Sequence, residues 1–163
     1  MKGSKKVIEQ LQKLLNNELA ARDQYFAHSR MYRDWGLGRL YERIDHEMRE
    51  EIEHADALIE RMLFLEAEPD LSKPDKLHIG SDVPEMLRND LAVEYEVADA
   101  LKEAIRICEK EQDYDTRRIL SRLLEDTEMD HAYWLERQLR LIDMVGLKNY
   151  LQSQMGDPAP GGH

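Results

Sequence analysis

The stretch Glu51-Ile52-Glu53-His54, with a second copy at Glu128-Met129-Asp130-His131, determines how the rest of this sequence is interpreted. Glu and His three residues apart project from the same face of an α-helix, so each pair can bind one metal ion. Glu18 precedes Glu51 by 33 residues, and Glu94 precedes Glu128 by 34 residues. Each of these earlier carboxylates interrupts an otherwise apolar helical stripe. The sequence therefore predicts two similar helical hairpins, each with one Glu opposite one Glu-x-x-His.

Apolar residues recur at spacings of three, four and seven over four long segments, which is the pattern of helices that bury one face. The glycines of Trp35-Gly36-Leu37-Gly38 suit the end of the first helix and a tight turn. Ser4 is the predicted N-cap of the first helix, and Asp82 with Glu85 resembles a capping box before the third. The predicted helices cover residues 4–32, 39–65, 82–109 and 116–144, and residues 147–155 are predicted to form a short fifth helix.

Between the second and third helices the periodicity stops over residues 66–82, where Pro69, Pro74 and Gly80 break any helix. A loop of this length is uncommon inside a compact domain. A crossover that carries the chain from one end of a bundle to the other explains it, and makes the second and third helices parallel. We therefore predict an all-α four-helix bundle with a long crossover and a short C-terminal helix.

Antiparallel helices place residues that are equidistant from their turn at equal heights. With the first turn centred near residue 36, Glu18 and His54 each lie 18 residues away. A second turn centred near residues 112–113 leaves Glu94 and His131 similarly placed. At a rise of 1.5 Å per residue, all four lie about 27 Å from their turns. The predicted metal ligands that meet at mid-helix are Glu18, Glu51, His54, Glu94, Glu128 and His131.

The chemistry of this set favours two bound cations, because buried carboxylates without partners are costly. Four carboxylates carry a charge that two divalent ions neutralise. Glu51 and Glu128 are positioned to bridge both ions, Glu18 and Glu94 each close one side, and one His caps each metal. Mixed oxygen and nitrogen ligands suit Fe or Mn, with Zn as a competitor. The alternative is a bundle in which the Glu-x-x-His pairs lie on the surface by chance. It requires the buried face of all four helices to be assigned wrongly.

Composition narrows the functional classes. The chain has 163 residues and a formal net charge of −11, which argues against a nucleic-acid partner. The 35% charged and 42% hydrophobic content, with few Gly and Pro, favours one all-helical domain. Cys108 is the single cysteine, which excludes a disulfide framework and a Cys-rich zinc or rubredoxin-type site. No signal peptide or membrane span is visible, so we expect a cytoplasmic protein without a membrane partner.

Several stretches carry a family resemblance. They are Asn17-Glu-Leu-Ala, Asp23-Gln-Tyr-Phe26, Trp35-Gly-Leu37, Glu53-His-Ala-Asp56, Leu63-Phe-Leu-Glu66 and Asn149-Tyr-Leu-Gln152. In these stretches the chain resembles bacterioferritin, the bacterial iron-storage branch of the ferritin superfamily, over nearly its whole length. The second Glu-x-x-His separates it from animal-type ferritins, and the absence of Cys pairs separates it from rubrerythrins.

The resemblance implies a ferritin-like di-iron domain over residues 1–155, with residues 156–163 as a disordered tail. It implies a twenty-four-subunit hollow shell with a ferroxidase centre in each bundle. Fe(II) would be oxidised there by O2 or peroxide and stored as a ferric mineral. The six predicted ligands match that centre residue by residue. A ferredoxin-type reductant is a further partner that the resemblance implies, and the sequence leaves open whether the iron pair is a stable cofactor or a substrate in transit.

One position departs from the family. Bacterioferritins bind haem b between two subunits through a Met directly after the first bridging Glu, and that position here is Ile52. Met48 lies one helical turn earlier, but packing is its simpler interpretation. The chain therefore resembles a ferroxidase-type subunit that lacks the haem ligand. Both a homopolymer and a mixed shell with a haem-binding partner subunit stay open.

Four further side chains are accessory candidates. Tyr25 and Trp134 are predicted to lie near the metals, where they would either donate electrons or pack in the core. His46 and Glu50 form an i, i+4 pair that would either pass iron inward or stay solvated. Two other functions remain as alternatives: a di-iron or di-manganese oxidase or catalase without storage, and a structural or haem-carrying shell subunit with an inert centre.

Overall fold

Four helical rods and one short helix make up the computed structural model, which describes residues 1–157. A π-helical segment, Asp126–Ala132, joins two helices into the fourth rod, and no strand occurs within the described range. The predicted four-helix bundle with a short C-terminal helix is confirmed. None of the helices in this range is long and apolar enough to span a membrane. The helices are α1 (Lys5–Asp34), α2 (Gly38–Phe64), α3 (Val83–Lys110), α4 (Tyr114–Glu125), α5 (Tyr133–Val145) and α6 (Leu147–Gln154).

The connection between α2 and α3 runs along α1. Near the start of α1, the Gln12 side-chain amide donates to the Asp70 carbonyl at 2.8 Å. Near its end, the Gly80 backbone N–H donates to His28 Nε2 at 3.1 Å. Later residues of the connection thus contact later residues of α1, so the connection runs from the N-terminal to the C-terminal end of that helix.

The two ends of this connection fix the direction of α3. Where the connection begins, α2 ends beside the N-terminus of the chain, since the Gly3 backbone N–H donates to the Leu65 carbonyl at 3.2 Å. Where the connection ends, α3 begins with Val83, which packs in the same apolar cluster as Tyr32 near the C-terminal end of α1. Helices α2 and α3 therefore run parallel to each other, and both run antiparallel to α1, as the crossover interpretation predicts.

His28 fastens the crossover to the bundle. Because Nε2 accepts from Gly80, the proton lies on Nδ1, which donates to Asp90 Oδ1 at 2.9 Å. The Gln24 amide donates to the same carboxylate oxygen at 2.8 Å. All three side chains are buried, so every polar contact among them is made without water. This network ties α1, α3 and the crossover together.

The core is divided into two apolar clusters by a polar layer. The first cluster fills the half of the bundle that holds the start of α1, and the second fills the half that holds its end. Fully burying each large apolar side chain contributes about 1.5–3 kcal/mol, which offsets the polar layer between them. Representative residues are Leu11, Leu15, Leu58, Leu101 and Leu120 in the first cluster, and Tyr32, Leu40, Ile44, Leu87 and Tyr150 in the second.

Helix caps differ from the predictions in detail. Asp82 caps α3 as predicted, because its carboxylate accepts from the Glu85 backbone N–H at 2.9 Å. Ser4 lies at the N-cap position of α1, but its hydroxyl donates to Glu111 at 2.6 Å and does not cap the helix. Contact with the α3–α4 turn takes the place of a local cap there.

One further prediction needs correction. The fourth helix is not a continuous α-helix over 116–144, because the π-helical segment interrupts it. The disordered tail over 156–163 stays a prediction, although the Gly156 backbone N–H donates to the Gly36 carbonyl at 3.1 Å. Residues 158–163 of that tail lie outside the described range.

Asp113 caps α4 and also contacts α2. Its carboxylate accepts from the Thr116 backbone N–H at 3.1 Å, from the Thr116 hydroxyl at 2.7 Å and from Arg61 at 3.1 Å. We expect Asp113→Ala to lower the free energy of unfolding by about 1–2 kcal/mol, since a cap and a link to α2 are lost together. Thermal unfolding followed by circular dichroism at fixed protein concentration measures this.

Asp115→Ala is the matched control, because Asp115 lies in the first turn of the same helix but is exposed. Its one ion pair, to the exposed Arg118 at 3.5 Å, is weak. Its melting temperature should stay close to that of the unsubstituted protein. Equal losses for the two variants would show that Asp113 acts through charge alone.

Candidate metal centre

Five of the six predicted ligands converge in the polar layer. They come from three helices and the π-helical segment, and their side chains are at most 5% exposed. Apolar clusters lie above and below them, so the layer is dry. The convergent side chains are Glu18 from α1, Glu51 and His54 from α2, Glu94 from α3 and His131 from the π-helical segment.

Glu51 lies between the two histidines. His54 Nδ1 is 3.0 Å from Glu18 Oε2 and 3.6 Å from Glu51 Oε2. His131 Nδ1 is 3.1 Å from Glu51 Oε1 and 3.3 Å from Glu94 Oε1. The imidazole rings are nearly parallel, with centroids 5.7 Å apart. Two groups thus share Glu51, one with Glu18 and His54 and the other with Glu94 and His131, and within each group the ligand atoms lie within 4.8 Å of one another.

Burial and charge pull the protonation of these groups in different directions. Burial, with the neighbouring charge of Glu51, raises the pKa of Glu18 well above its usual range, and burial raises the pKa of Glu94 to about 7. Burial opposes charge on His54, but hydrogen bonds to Glu18 and Glu51 outweigh it and raise the pKa of His54 to about 11. Burial likewise opposes charge on Glu51, but hydrogen bonds to Glu18 and both histidines hold its pKa below the usual range. Positive charge is thus strongly favoured beside these carboxylates.

Unpartnered oxygens show that the group fits metal ions. Oε1 of Glu18, Oε2 of Glu51 and Oε2 of Glu94 are buried and have no hydrogen-bond partner among residues 1–157. A buried carboxylate oxygen without a partner is costly and uncommon. Divalent cations bind carboxylate oxygen and imidazole nitrogen together, and Fe, Mn and Zn all accept this mixture. The arrangement therefore fits two metal ions with Glu51 between them.

Glu128 does not join this group in the structure. Its side chain is 45% exposed, and Oε2 lies 3.3 Å from Lys102 Nζ on α3. The helical register predicted Glu128 on the same face as His131, which holds only for an uninterrupted α-helix. In a π-helix the hydrogen bonds run from i to i+5, so residues three apart separate further around the axis. His131 therefore points inward while Glu128 points outward, and a ligand role for Glu128 stays a prediction.

The two aromatic candidates have different surroundings. Tyr25 is buried, and its hydroxyl donates to Glu94 Oε1, so it lies directly against the predicted ligands. Trp134 is half-buried and stacks under the Arg43 guanidinium, whose central carbon is 4.8 Å from the ring centroid. Tyr25 can thus orient Glu94, whereas Trp134 packs beside the centre.

His46 and Glu50 form the predicted pair, with His46 Nε2 2.6 Å from Glu50 Oε1. Glu50 also reaches the centre, because its Oε2 lies 2.5 Å from His131 Nε2. His131 therefore contacts the central carboxylates through Nδ1 and Glu50 through Nε2. The pair is not simply solvated, although His46 itself is 59% exposed.

Sequence reasoning missed a second acidic group around His131. Glu47 is buried and its Oε2 lies 2.6 Å from His131 Nε2, and Arg43 Nη2 lies 2.7 Å from Glu47 and 3.0 Å from Asp130. Glu47, Glu50, Asp130 and His131 form a third set of possible metal ligands. Glu47 lies four residues before Glu51 and therefore on the same helix face, which was the available signal. No sequence signal pointed to Asp130, because the π-helical segment alone brings it there.

Asp126 was also missed. It begins the π-helical segment, and its Oδ2 lies 3.2 Å from His54 Nε2. A carboxylate on the second nitrogen of a metal-binding imidazole fixes the ring orientation and its tautomer. Asp126 is therefore placed to orient His54.

The haem-related positions support the packing interpretation of Met48. Met48 is buried within the apolar cluster at the end of α1, and its sulfur lies 4.0 Å from Arg30 Nη1. Ile52 is 48% exposed. Met48 therefore faces the subunit interior, whereas Ile52 faces outward.

Comparison with known proteins gives a consistent result. The profile of the ferritin family, described as a ferritin-like domain, matches residues 8–145. A protein named bacterial ferritin from Synechocystis sp. is 64% identical over 155 residues, covering 95% of this chain and 99% of that protein. A bacterial ferritin from Paramagnetospirillum magnetotacticum is 56% identical over 162 residues, covering 99% of each chain. A bacterioferritin from Brucella melitensis is 42% identical over 152 residues, covering 93% of this chain and 94% of that protein.

The family profile spans most of the chain, and the relatives match it almost from end to end. The bundle, its crossover and the buried carboxylate–histidine layer supply the physical basis of that similarity. The chain belongs to the ferritin family.

Proposed function

We propose that this chain is the ferroxidase subunit of a bacterial iron-storage protein. The observation that carries the proposal is the position of Glu51, which presents one carboxylate oxygen to each of two buried histidines. A carboxylate shared in this way holds two metal ions close enough to act together, at roughly 3.5–4 Å. Membership of the ferritin family, and the names of the relatives, support iron as the metal and storage as the purpose.

The reaction uses Fe(II) as its substrate. Two Fe(II) ions each give up one electron, and O2 takes both electrons with two protons to leave as hydrogen peroxide. Where peroxide is the oxidant, two electrons from two Fe(II) ions and two protons reduce it to two molecules of water. Two metals held together by the protein supply both electrons in one event, which a single ion cannot do.

The protein's own contribution is binding and charge balance. Iron entering the centre displaces the protons that burial retains on Glu18 and Glu94, since a divalent ion stabilises both carboxylates in their charged form. His54 and His131 bind as neutral imidazoles and release their protons at the same time. Tyr25 donates to Glu94 and Asp126 contacts His54, so each outer ligand is held in place from behind.

The acidic group behind His131 gives the oxidised iron a route out of the centre. Glu47 and Glu50 both lie within 2.6 Å of Nε2 of His131, whose Nδ1 faces the centre. An ion that leaves on this side therefore meets carboxylates at once. His46, exposed beyond Glu50, is the next ligand along this route.

Storage requires an assembly, and the surface of the subunit is suited to one. Several large apolar side chains are about half exposed, among them Phe26, Ile52, Phe64 and Tyr133. Assembly would bury these side chains against other copies of the chain. We propose a hollow cytoplasmic shell of twenty-four subunits, either of this chain alone or mixed with a haem-binding subunit.

His54→Ala tests the ferroxidase centre. We expect the substitution to remove the fast phase of Fe(II) oxidation, by a factor on the order of 100, because one metal loses its nitrogen ligand. Stopped-flow absorbance after adding Fe(II) to aerobic, metal-stripped protein measures the rate, and the unsubstituted chain should saturate near about two irons per subunit. The matched control is Glu53→Ala, which removes an exposed carboxylate next to His54 in the chain.

Particle size in the same samples separates this function from its alternatives. Both variants should assemble into a shell of the same mass as the unsubstituted protein. Rapid oxidation without a shell would favour a di-metal oxidase or catalase, and an intact shell without rapid oxidation would indicate a structural subunit. An unchanged initial rate in His54→Ala would show that the centre lies elsewhere.

Ile52→Met tests the haem position. The exposed side chain at this position would gain a thioether, so the assembled variant should bind haem b if the surrounding surface is otherwise suitable. A Soret absorbance band that stays with the protein after gel filtration reports binding. Ile79→Met is the control, because Ile79 is a similarly exposed isoleucine in the crossover. If neither variant binds haem, the chain lacks more of the haem pocket than its ligand.

A further inference from the structure

Glu128 has two possible partners, and the structure shows the outer one. Its carboxylate pairs with Lys102 in a groove of about 460 Å³ between α3 and the π-helical segment. Asp99 and Glu136 line the same groove, so two other carboxylates stand near Lys102. The Glu128 side chain is 45% exposed at this groove.

Thr127, the residue before Glu128, faces the interior of the bundle in this arrangement. Its side chain is only 1% exposed, and its hydroxyl has no hydrogen-bond partner among residues 1–157. Burial of an unpartnered hydroxyl is unfavourable. The outward position of Glu128 is therefore accompanied by a destabilising contact on the inner face.

Helix geometry links these two residues. With π-type hydrogen bonds, residues four or five apart share a face, and this places Thr127 beside His131. With α-type hydrogen bonds, residues three apart share a face as well, and this would place Glu128 beside His131. In the π-type arrangement of Asp126–Ala132, only Thr127 of these two residues lies beside His131, whereas in an α-type arrangement Glu128 would lie there as well.

We propose that the π-helical segment is a two-position switch that sets how tightly the centre binds divalent metal ions. Lys102 holds Glu128 outside in the π-type arrangement, and binding of the ions draws Glu128 off Lys102 to become a ligand as the segment takes up α-type hydrogen bonds. Lys102 is then a positioning residue that competes with the metal for Glu128. This inference rests on the proposed metal centre and adds the residues that determine its affinity.

The two residues should act on metal affinity in opposite directions. Lys102→Gln removes the outer partner of Glu128. Because an exposed ion pair of this kind no longer competes with the metal, the variant should bind divalent ions about two- to fivefold more tightly. Thr127→Val removes the unpartnered hydroxyl and so stabilises the outward arrangement, which should weaken binding by about fivefold or more. A general loss of folding would not tighten binding in one variant and weaken it in the other.

Zn(II) titration by calorimetry tests the inference without redox chemistry. Metal-stripped, fully assembled protein is titrated as the unsubstituted chain, Lys102→Gln, Thr127→Val, Glu128→Gln and the double variant Lys102→Gln/Glu128→Gln. Lys110→Gln is the charge-matched control, because Lys110 is an exposed lysine at the end of the same helix. Stoichiometry and dissociation constant are both measured.

The double variant separates the switch from simple electrostatics. If Lys102 acts through Glu128, its removal will tighten binding in the unsubstituted chain and change nothing in the Glu128→Gln background. If Lys102 only repels cations, the effect will be the same in both backgrounds, and the proposal is overturned. Unchanged affinity in both Lys102→Gln and Thr127→Val would overturn it as well.

His54→Ala, titrated in parallel, distinguishes this failure from failure of the proposed function. Zn(II) binding that depends on His54 but is indifferent to Lys102 and Thr127 would leave the metal centre in place and remove only the switch. Zn(II) binding that ignores His54 would remove the centre itself.

Discussion

Three carboxylates and two imidazoles in the dry middle of a helical bundle are the constraint on which this structure depends. Burial is the main cause that raises the pKa values of Glu18 and Glu94, and it opposes charge on every member of the group. The group is tolerable because the histidines supply positive charge beside Glu51 and because apolar clusters on both sides stabilise the bundle. Several oxygens still lack hydrogen-bond partners among residues 1–157, which is the feature that fits the layer to metal ions.

The topology follows from the same constraint. Ligands from four rods have to reach one height, so each hairpin must place its turn at the correct distance from its ligands. The long crossover lets α2 and α3 run parallel, and it is fastened to α1 by His28 and its contacts with Gly80 and Asp90. Those contacts are buried and link the crossover to both α1 and α3, so the crossover is a fixed part of the bundle and not a loose loop.

The two hairpins differ although their sequence motifs match. In the first, Glu51 and His54 share one face of an uninterrupted helix. In the second, the π-helical segment turns Glu128 away and brings Asp126 and Asp130 toward the histidines. Both histidines therefore have a carboxylate on each ring nitrogen, but the outer partner of His131 includes the buried Glu47, whereas the outer partner of His54 is the half-exposed Asp126. The two halves of the centre thus differ in how their histidines are held.

The sequence by itself determined the four rods and the short C-terminal helix, the crossover, the ends of each rod to within two residues, and all five residues that converge in the polar layer. These depend on periodicity, turn residues and the fixed rise of an α-helix, all of which act locally and can be counted along the chain. Tertiary structure decided the position of Glu128, the role of Asp126 and Asp130, and the use of Ser4 as a contact to Glu111 in place of a cap. A single extra residue in one helical turn is invisible to periodicity, yet it rotates side chains around the axis. Which of them face inward is settled only by packing against neighbouring helices.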